Sequence, residues 1–106
     1  MKVAQVIHYI EQHYSKTLNL QDLARIAKLS ENRLIILFKE AMGKTPMDYI
    51  IDLRLRKAGE LLRSSPSPIT KIAFQVGYDD SNYFTRQFKK RIGLSPRDYR
   101  KKGTLI

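Results

Sequence analysis

Apolar side chains recur along the chain with helical spacing. Val3, Val6, Ile7, Ile10 and Tyr14 fall three or four apart, so residues 2–14 read as an amphipathic helix. Leu20, Leu23, Ala24 and Ala27 mark the buried face of a second helix, with Asn19 as its cap and Asp22 in its first turn. Ser30 caps a third helix over about 31–42, where Leu34, Leu37 and Phe38 make the apolar stripe and Gly43 the stop. Thr45-Pro46-Met47-Asp48 supplies a cap, a first-position proline and an acid, and so opens the longest helix, 46–63. On it Ile51, Leu55, Ala58 and Leu62 form one stripe and Ile50, Leu53 and Leu61 a second, so both sides are to be covered. Ser64-Ser65-Pro66-Ser67-Pro68 has loop composition, and Ser67-Pro68 opens the next helix. Helices over 69–76 and 80–92, a stop at Gly93 and a short helix from Ser95-Pro96-Arg97-Asp98 follow, with fraying expected after Lys102. No stretch alternates as a strand does. The expected fold class is all-α, with seven helices.

The pattern occurs twice. An offset of 50 residues pairs Leu34 with Phe84, Phe38 with Phe88, Lys39 with Lys89, Met42 with Ile92, Gly43 with Gly93, Pro46 with Pro96, Asp48 with Asp98 and Tyr49 with Tyr99. Upstream the offset is 49, pairing Leu20 with Ile69, Leu23 with Ile72, Ala24 with Ala73, Ala27 with Val76 and Leu29 with Tyr78. The second copy therefore has one extra residue in its turn, somewhere in Val76-Gly77-Tyr78-Asp79-Asp80. Each unit reads helix, short turn, helix, with small residues where the second helix packs closely; this is the helix-turn-helix pattern. The units span 20–43 and 69–93, and helix 46–63 links them within a single domain, 1–106. In the second unit Phe84 and Phe88 anchor one face, while Ser81, Asn82, Thr85 and Arg86 lie on another. Asn and Arg can each make two hydrogen bonds to a base edge.

Charge sharpens this picture. The 106 residues carry 20 Lys and Arg against 10 Asp and Glu, a net +10. Residues 1–53 hold seven basic and six acidic side chains, and residues 54–106 hold thirteen and four. A basic half joined to a nearly neutral half points to a polyanionic partner, nucleic acid first and an anionic membrane second. There is no cysteine, which excludes disulfides, thiolate metal sites and cysteine nucleophiles, and fits a reducing compartment. His8 and His13 lie five apart on the first helix, and a metal pair prefers three or four; they read as surface histidines. No Gly-rich phosphate loop or nucleophile arrangement is present, so neither enzyme activity nor a cofactor is expected. No apolar run is long enough for a signal peptide or a membrane span, and a soluble, cytoplasmic, nucleoid-associated protein is expected.

The order Ile72-Ala73, Val76-Gly77-Tyr78, Asn82-Tyr83-Phe84, Arg86, Phe88-Lys89, Gly93, Ser95-Pro96, Tyr99-Arg100 closely resembles the C-terminal signature of the AraC/XylS family of bacterial transcription regulators. Leu29-Ser30, Leu34, Phe38-Lys39, Gly43, Pro46 and Tyr49 resemble its first half. The resemblance implies a seven-helix domain whose two recognition helices enter successive major-groove segments of duplex DNA. It also implies regulation of transcription, usually activation, contact with RNA polymerase, and in most members a sensing or dimerising domain elsewhere in a longer chain.

Carried over by position, the base-facing residues are Ser81, Asn82, Thr85 and Arg86 in the second helix. In the first they are Glu31, Asn32, Ile35 and Ile36. The family commonly has small polar residues or arginine where this chain has Ile35 and Ile36. Two readings stand: the isoleucines meet thymine methyl groups, or the helix is rotated and one of them joins the core. Asn32 is the best remaining base reader of that helix. Phosphate contacts are expected from Arg33, Lys39, Tyr83, Lys89, Lys90 and Arg91, aided by N–H groups at helix starts. The cluster Arg97, Arg100, Lys101, Lys102 either extends this surface or is a solvated helix. The competing function is a basic helical module for RNA or an anionic surface. RNA stacking would favour exposed aromatics, and most aromatics here fall at buried positions of the repeat.

Overall fold

The computed structural model describes residues 2–104, with side chains described through Lys102. They form seven helices: α1 Lys2–His13, α2 Leu20–Ala27, α3 Glu31–Met42, α4 Pro46–Ser64, α5 Ile69–Gln75, α6 Ser81–Ile92 and α7 Pro96–Thr104. Helix α7 runs on to Thr104, and residues 105–106 of the tail expected to fray lie outside the described part.

The chain divides into two compact units, and the division falls inside α4, between Leu53 and Arg54. The same point separates the nearly neutral half from the basic half.

In the first unit Val3, Val6 and Ile10 of α1 pack with Leu23, Ala24 and Ala27 of α2, Leu34 and Phe38 of α3, and Ile50 and Leu53 of α4. In the second unit the fully buried residues are Leu55, Ala58 and Leu62 of α4, Ile72, Ala73 and Val76, and Phe84 and Phe88 of α6, with Tyr78 beside them. Val3, Val6 and Ile10 have the same spacing as Leu55, Ala58 and Leu62. Thus the second half of α4 buries in its unit the same i, i+3, i+7 stripe that α1 buries in the first.

The repeat extends to individual bonds. Gly43 and Gly93 end α3 and α6 with positive φ (77° and 94°), and each N–H donates to a lysine carbonyl four residues back, at 2.8 Å in both units. Thr45 Oγ1 accepts the Asp48 N–H at 3.2 Å, and Ser95 Oγ accepts the Asp98 N–H at 3.1 Å. Phe38 meets Tyr49 edge-on with centroids 5.6 Å apart, and Phe88 meets Tyr99 in the same way at 5.3 Å.

The turns repeat as well. Leu29 N–H donates to Ala24 and Lys28 N–H to Arg25; their counterparts Tyr78 and Gly77 donate to Ala73 and Phe74. Gly77 takes φ 107° without penalty, whereas Lys28 takes φ 57°, where a side chain is strained. These shared bonds place the extra residue of the second turn at Asp79, between Tyr78 and the cap residue Asp80.

Local details differ from the sequence reading: α1 ends at His13, α4 runs to Ser64 and α6 starts at Ser81. The fifth helix starts at Ile69 as expected, but Pro68 stands at the cap position and, lacking a side-chain acceptor, leaves it without a side-chain cap. It ends at Gln75, with Val76 as its closing residue. Phe74, on this helix, is 58% exposed.

Candidate nucleic-acid interface

The two second helices of the repeat, α3 and α6, present themselves in one register. Their buried anchors are Leu34 with Phe38 and Phe84 with Phe88. Position by position, the residues between them share their exposure. Asn32 and Asn82 are exposed, Ile35 and Thr85 are half-buried, and Ile36 and Arg86 are exposed. Glu31 is exposed and Ser81 half-buried. The rotated arrangement of α3 is therefore overturned: neither isoleucine enters the core, and Ile36 is 49% exposed. Leu37, by contrast, packs partly against the first unit's core, in the place that Gln87 fills on α6.

The capping groups fix where each helix begins. Ser30 Oγ accepts the Arg33 N–H at 3.1 Å. Asp80 Oδ1 accepts from Asn82 N–H at 2.8 Å and Tyr83 N–H at 3.2 Å. At α3 the cap takes one of the helix-start N–H groups, and at α6 it takes two. The cap of α6 is a carboxylate, whose charge would repel an approaching anion.

Arg33, Lys39, Tyr83, Lys89, Lys90 and Arg91 are all exposed. Lys89, Lys90 and Arg91 occupy the last turn of α6, where the helix dipole favours positive charge. The Arg86 guanidinium lies 5.9 Å from the centre of the Tyr83 ring, within cation–π range, so the two exposed groups share one patch.

Arg100 leaves the basic cluster. Its Nε donates to the Leu62 carbonyl at 3.0 Å, and Nη2 donates to the Ser65 and Ser67 carbonyls at 3.0 and 2.7 Å. It ties down the end of α4 and the loop after it. Arg63 is also engaged within the unit, 4.8 Å above the Tyr99 ring and donating to the Tyr99 hydroxyl. Spacing could not separate these arginines from those of α6, because the groups they bond to lie far away in sequence. Arg97, Lys101 and Lys102 are exposed on α7.

Beneath the α6 patch lies a set of polar groups that spacing did not single out. Arg54 is half-buried, with its guanidinium 5.9 Å from the centre of the Tyr78 ring. Burial lowers its pKa from the ordinary value, and attraction to Tyr78 opposes that shift. The Tyr78 hydroxyl donates to Gln87 Oε1, and Gln87 Nε2 donates to the Tyr83 hydroxyl at 3.1 Å.

Among the described residues no group of three or more His, Cys, Asp or Glu is placed to hold a metal ion, and no helix is long and apolar enough to cross a membrane. His13 Nδ1 lies 2.9 Å from the Tyr9 carbonyl, and its ring stacks on Tyr9. The first unit has an open apolar hollow of about 460 Å³ lined by Lys2, Val3, Leu37, Glu40 and Ala41. Its walls carry no nucleophile beside a base.

Comparison with known proteins gives one family. A model described as a helix-turn-helix domain matches residues 23–102. The transcriptional activator RhaS of Klebsiella pneumoniae is 35% identical over 99 residues, 93% of this chain and 36% of that protein. The C-terminal domain of AraT, a response regulator from Geobacillus stearothermophilus, has a TM-score of 0.91 at 36% identity, covering 95% of this chain and 84% of that one. A Chromobacterium violaceum transcriptional regulator described as AraC-type has a TM-score of 0.88 at 25% identity, covering 96% and 91%. The chain spans about a third of the length of the curated relatives it matches.

Proposed function

Since the chain belongs to the AraC-type helix-turn-helix family of transcription regulators, we propose that it binds double-stranded DNA by sequence and regulates transcription, with α3 and α6 as its two recognition helices. The observation that carries this is the shared register of α3 and α6, which leaves Asn32, Ile35 and Ile36 on one and Ser81, Asn82, Thr85 and Arg86 on the other at least partly accessible. Asn82 and Arg86 suit the two-pronged edges of adenine and guanine, and Ile36 suits a thymine methyl. Arg33, Lys39, Tyr83, Lys89, Lys90 and Arg91 supply sequence-independent grip on phosphates. The second unit, with most of the net charge, contributes most of that grip. Activation, contact with RNA polymerase and a partner sensing or dimerising domain extend the proposal from the family to this protein.

Selection of bound duplexes from a random pool, at physiological salt, tests it. The expected result is an enriched site with two separate conserved segments. Enrichment of one segment would remove the role given to α3. Binding that structured RNA or anionic vesicles compete away as well as duplex does would replace the proposal with a general polyanion module.

A further inference from the structure

Tyr83 has more than an exposed phenol. Its hydroxyl oxygen accepts a hydrogen bond from Gln87 Nε2 at 3.1 Å, and Gln87 Oε1 in turn accepts from the Tyr78 hydroxyl. The direction of such a chain is fixed by its first member. Arg54, positively charged and 5.9 Å from the Tyr78 ring centre, makes that phenol a better donor and a poorer acceptor. With the Tyr78 proton given to Oε1, the Gln87 amide must present Nε2 to Tyr83. The Tyr83 oxygen is then supplied with a proton from inside, and its own O–H has no call inward.

From this polarity we infer that Gln87 is a positioning residue for DNA: the relay Tyr78–Gln87–Tyr83 holds the Tyr83 hydroxyl as an outward donor aimed at a phosphate oxygen. Tyr83 is 48% exposed and Gln87 half-buried, so the relay runs from the unit's interior to its surface. The same bonds restrain the ring over which the Arg86 guanidinium lies. The first unit has no such device. Leu29, Leu37 and Arg33 hold the places of Tyr78, Gln87 and Tyr83, and two of the three are apolar. Only α6 is prepared in this way before DNA arrives, and that lowers the ordering cost of binding at its end of the site. The inference rests on the DNA-binding reading above.

Gln87→Glu tests it, because a carboxylate keeps the shape but accepts from both phenols and turns the Tyr83 proton inward. Dissociation constants would be measured for wild type, Tyr83→Phe, Gln87→Glu, Gln87→Met and the double variant Tyr83→Phe/Gln87→Glu, on the selected duplex and on a scrambled one. Tyr83→Phe is expected to weaken both duplexes about tenfold, the scale of one hydrogen bond to a charged group. Gln87→Glu should weaken binding at least as much, and Gln87→Met less, since it frees the hydroxyl without reversing it. In the Tyr83→Phe background the Gln87→Glu effect should shrink by about the tenfold that the hydroxyl was worth. An undiminished effect would mean that the added charge or lost packing acts by itself, and the relay role would fall. The same follows if Tyr83→Phe binds as wild type does. Either result leaves DNA binding in place, whereas a wild-type chain that ignores duplex DNA ends both proposals together.

Discussion

Ile36 and Arg86 stand at one place on their two helices, midway between buried anchors at 34 and 38 in α3 and at 84 and 88 in α6, and both reach solvent. One side chain can read only shape and methyl groups, the other can grip a guanine edge. Arg86→Ala should therefore cost about 1–3 kcal/mol on the selected site and relax the choice at one base pair. Affinity measured on single-base variants of the site checks this; equal loss on scrambled DNA would make Arg86 a phosphate anchor.

Lys89 lies in the last turn of α6, exposed and close in sequence to Lys90 and Arg91. Lys89→Ala should weaken all duplexes alike and reduce the slope of log affinity against log salt by about one. A salt titration on preferred and scrambled duplexes measures both quantities. An unchanged slope would remove Lys89 from the phosphate surface.

Phe88 is fully buried, in contact with Phe84 and edge-on to Tyr99. Phe88→Ala should cost the second unit about 3–5 kcal/mol, the usual penalty for emptying an aromatic site in a core. Urea unfolding should show this loss. A variant that unfolds like the parent but binds DNA poorly would contradict the packing described.

Among the described residues Lys28 is the one non-glycine with positive φ, in the place that Gly77 fills in the second turn. Lys28→Gly relieves about 1–2 kcal/mol of left-handed strain and adds back about 0.5–1 kcal/mol of chain entropy. The net expectation is stabilisation of the first unit by up to about 1 kcal/mol, or a few degrees in Tm. Calorimetry decides it, and a lower Tm would contradict the strain assigned to Lys28.

Arg100→Met keeps length but removes the donors to the Leu62, Ser65 and Ser67 carbonyls. A loss of about 1–3 kcal/mol is expected in the second unit, with Arg100→Lys a poor rescue because it lacks the planar fork. DNA affinity per folded molecule should stay unchanged. A drop in affinity at full stability would return Arg100 to the DNA surface.

Helices and caps were readable because each is written locally. Asn19, Ser30, Thr45 and Ser95 all accept the N–H three residues on, and Gly43 and Gly93 close their helices. The apolar stripes of α1 to α6 follow the same short-range rule. Register between the two copies also settled what pattern left open, namely that Ile35 and Ile36 stay out of the core. What spacing could not reveal were contacts between residues distant in sequence. Arg100 looks like its neighbours Arg97 and Lys101 until the carbonyls of Leu62, Ser65 and Ser67 are placed beside it. Gln87 looks like a plain polar residue until Tyr78 is.

Because Arg100 reaches back some 33 to 38 positions to fasten the end of α4, the two halves of this chain mature on different clocks. On a ribosome the first half has all its parts once residue 53 has emerged. The second stays unfastened until residue 100 follows, a delay on the order of seconds at ordinary elongation rates. During that interval the nascent chain exposes an unfinished, strongly cationic surface, which is the stage at which chaperones and proteases would find it.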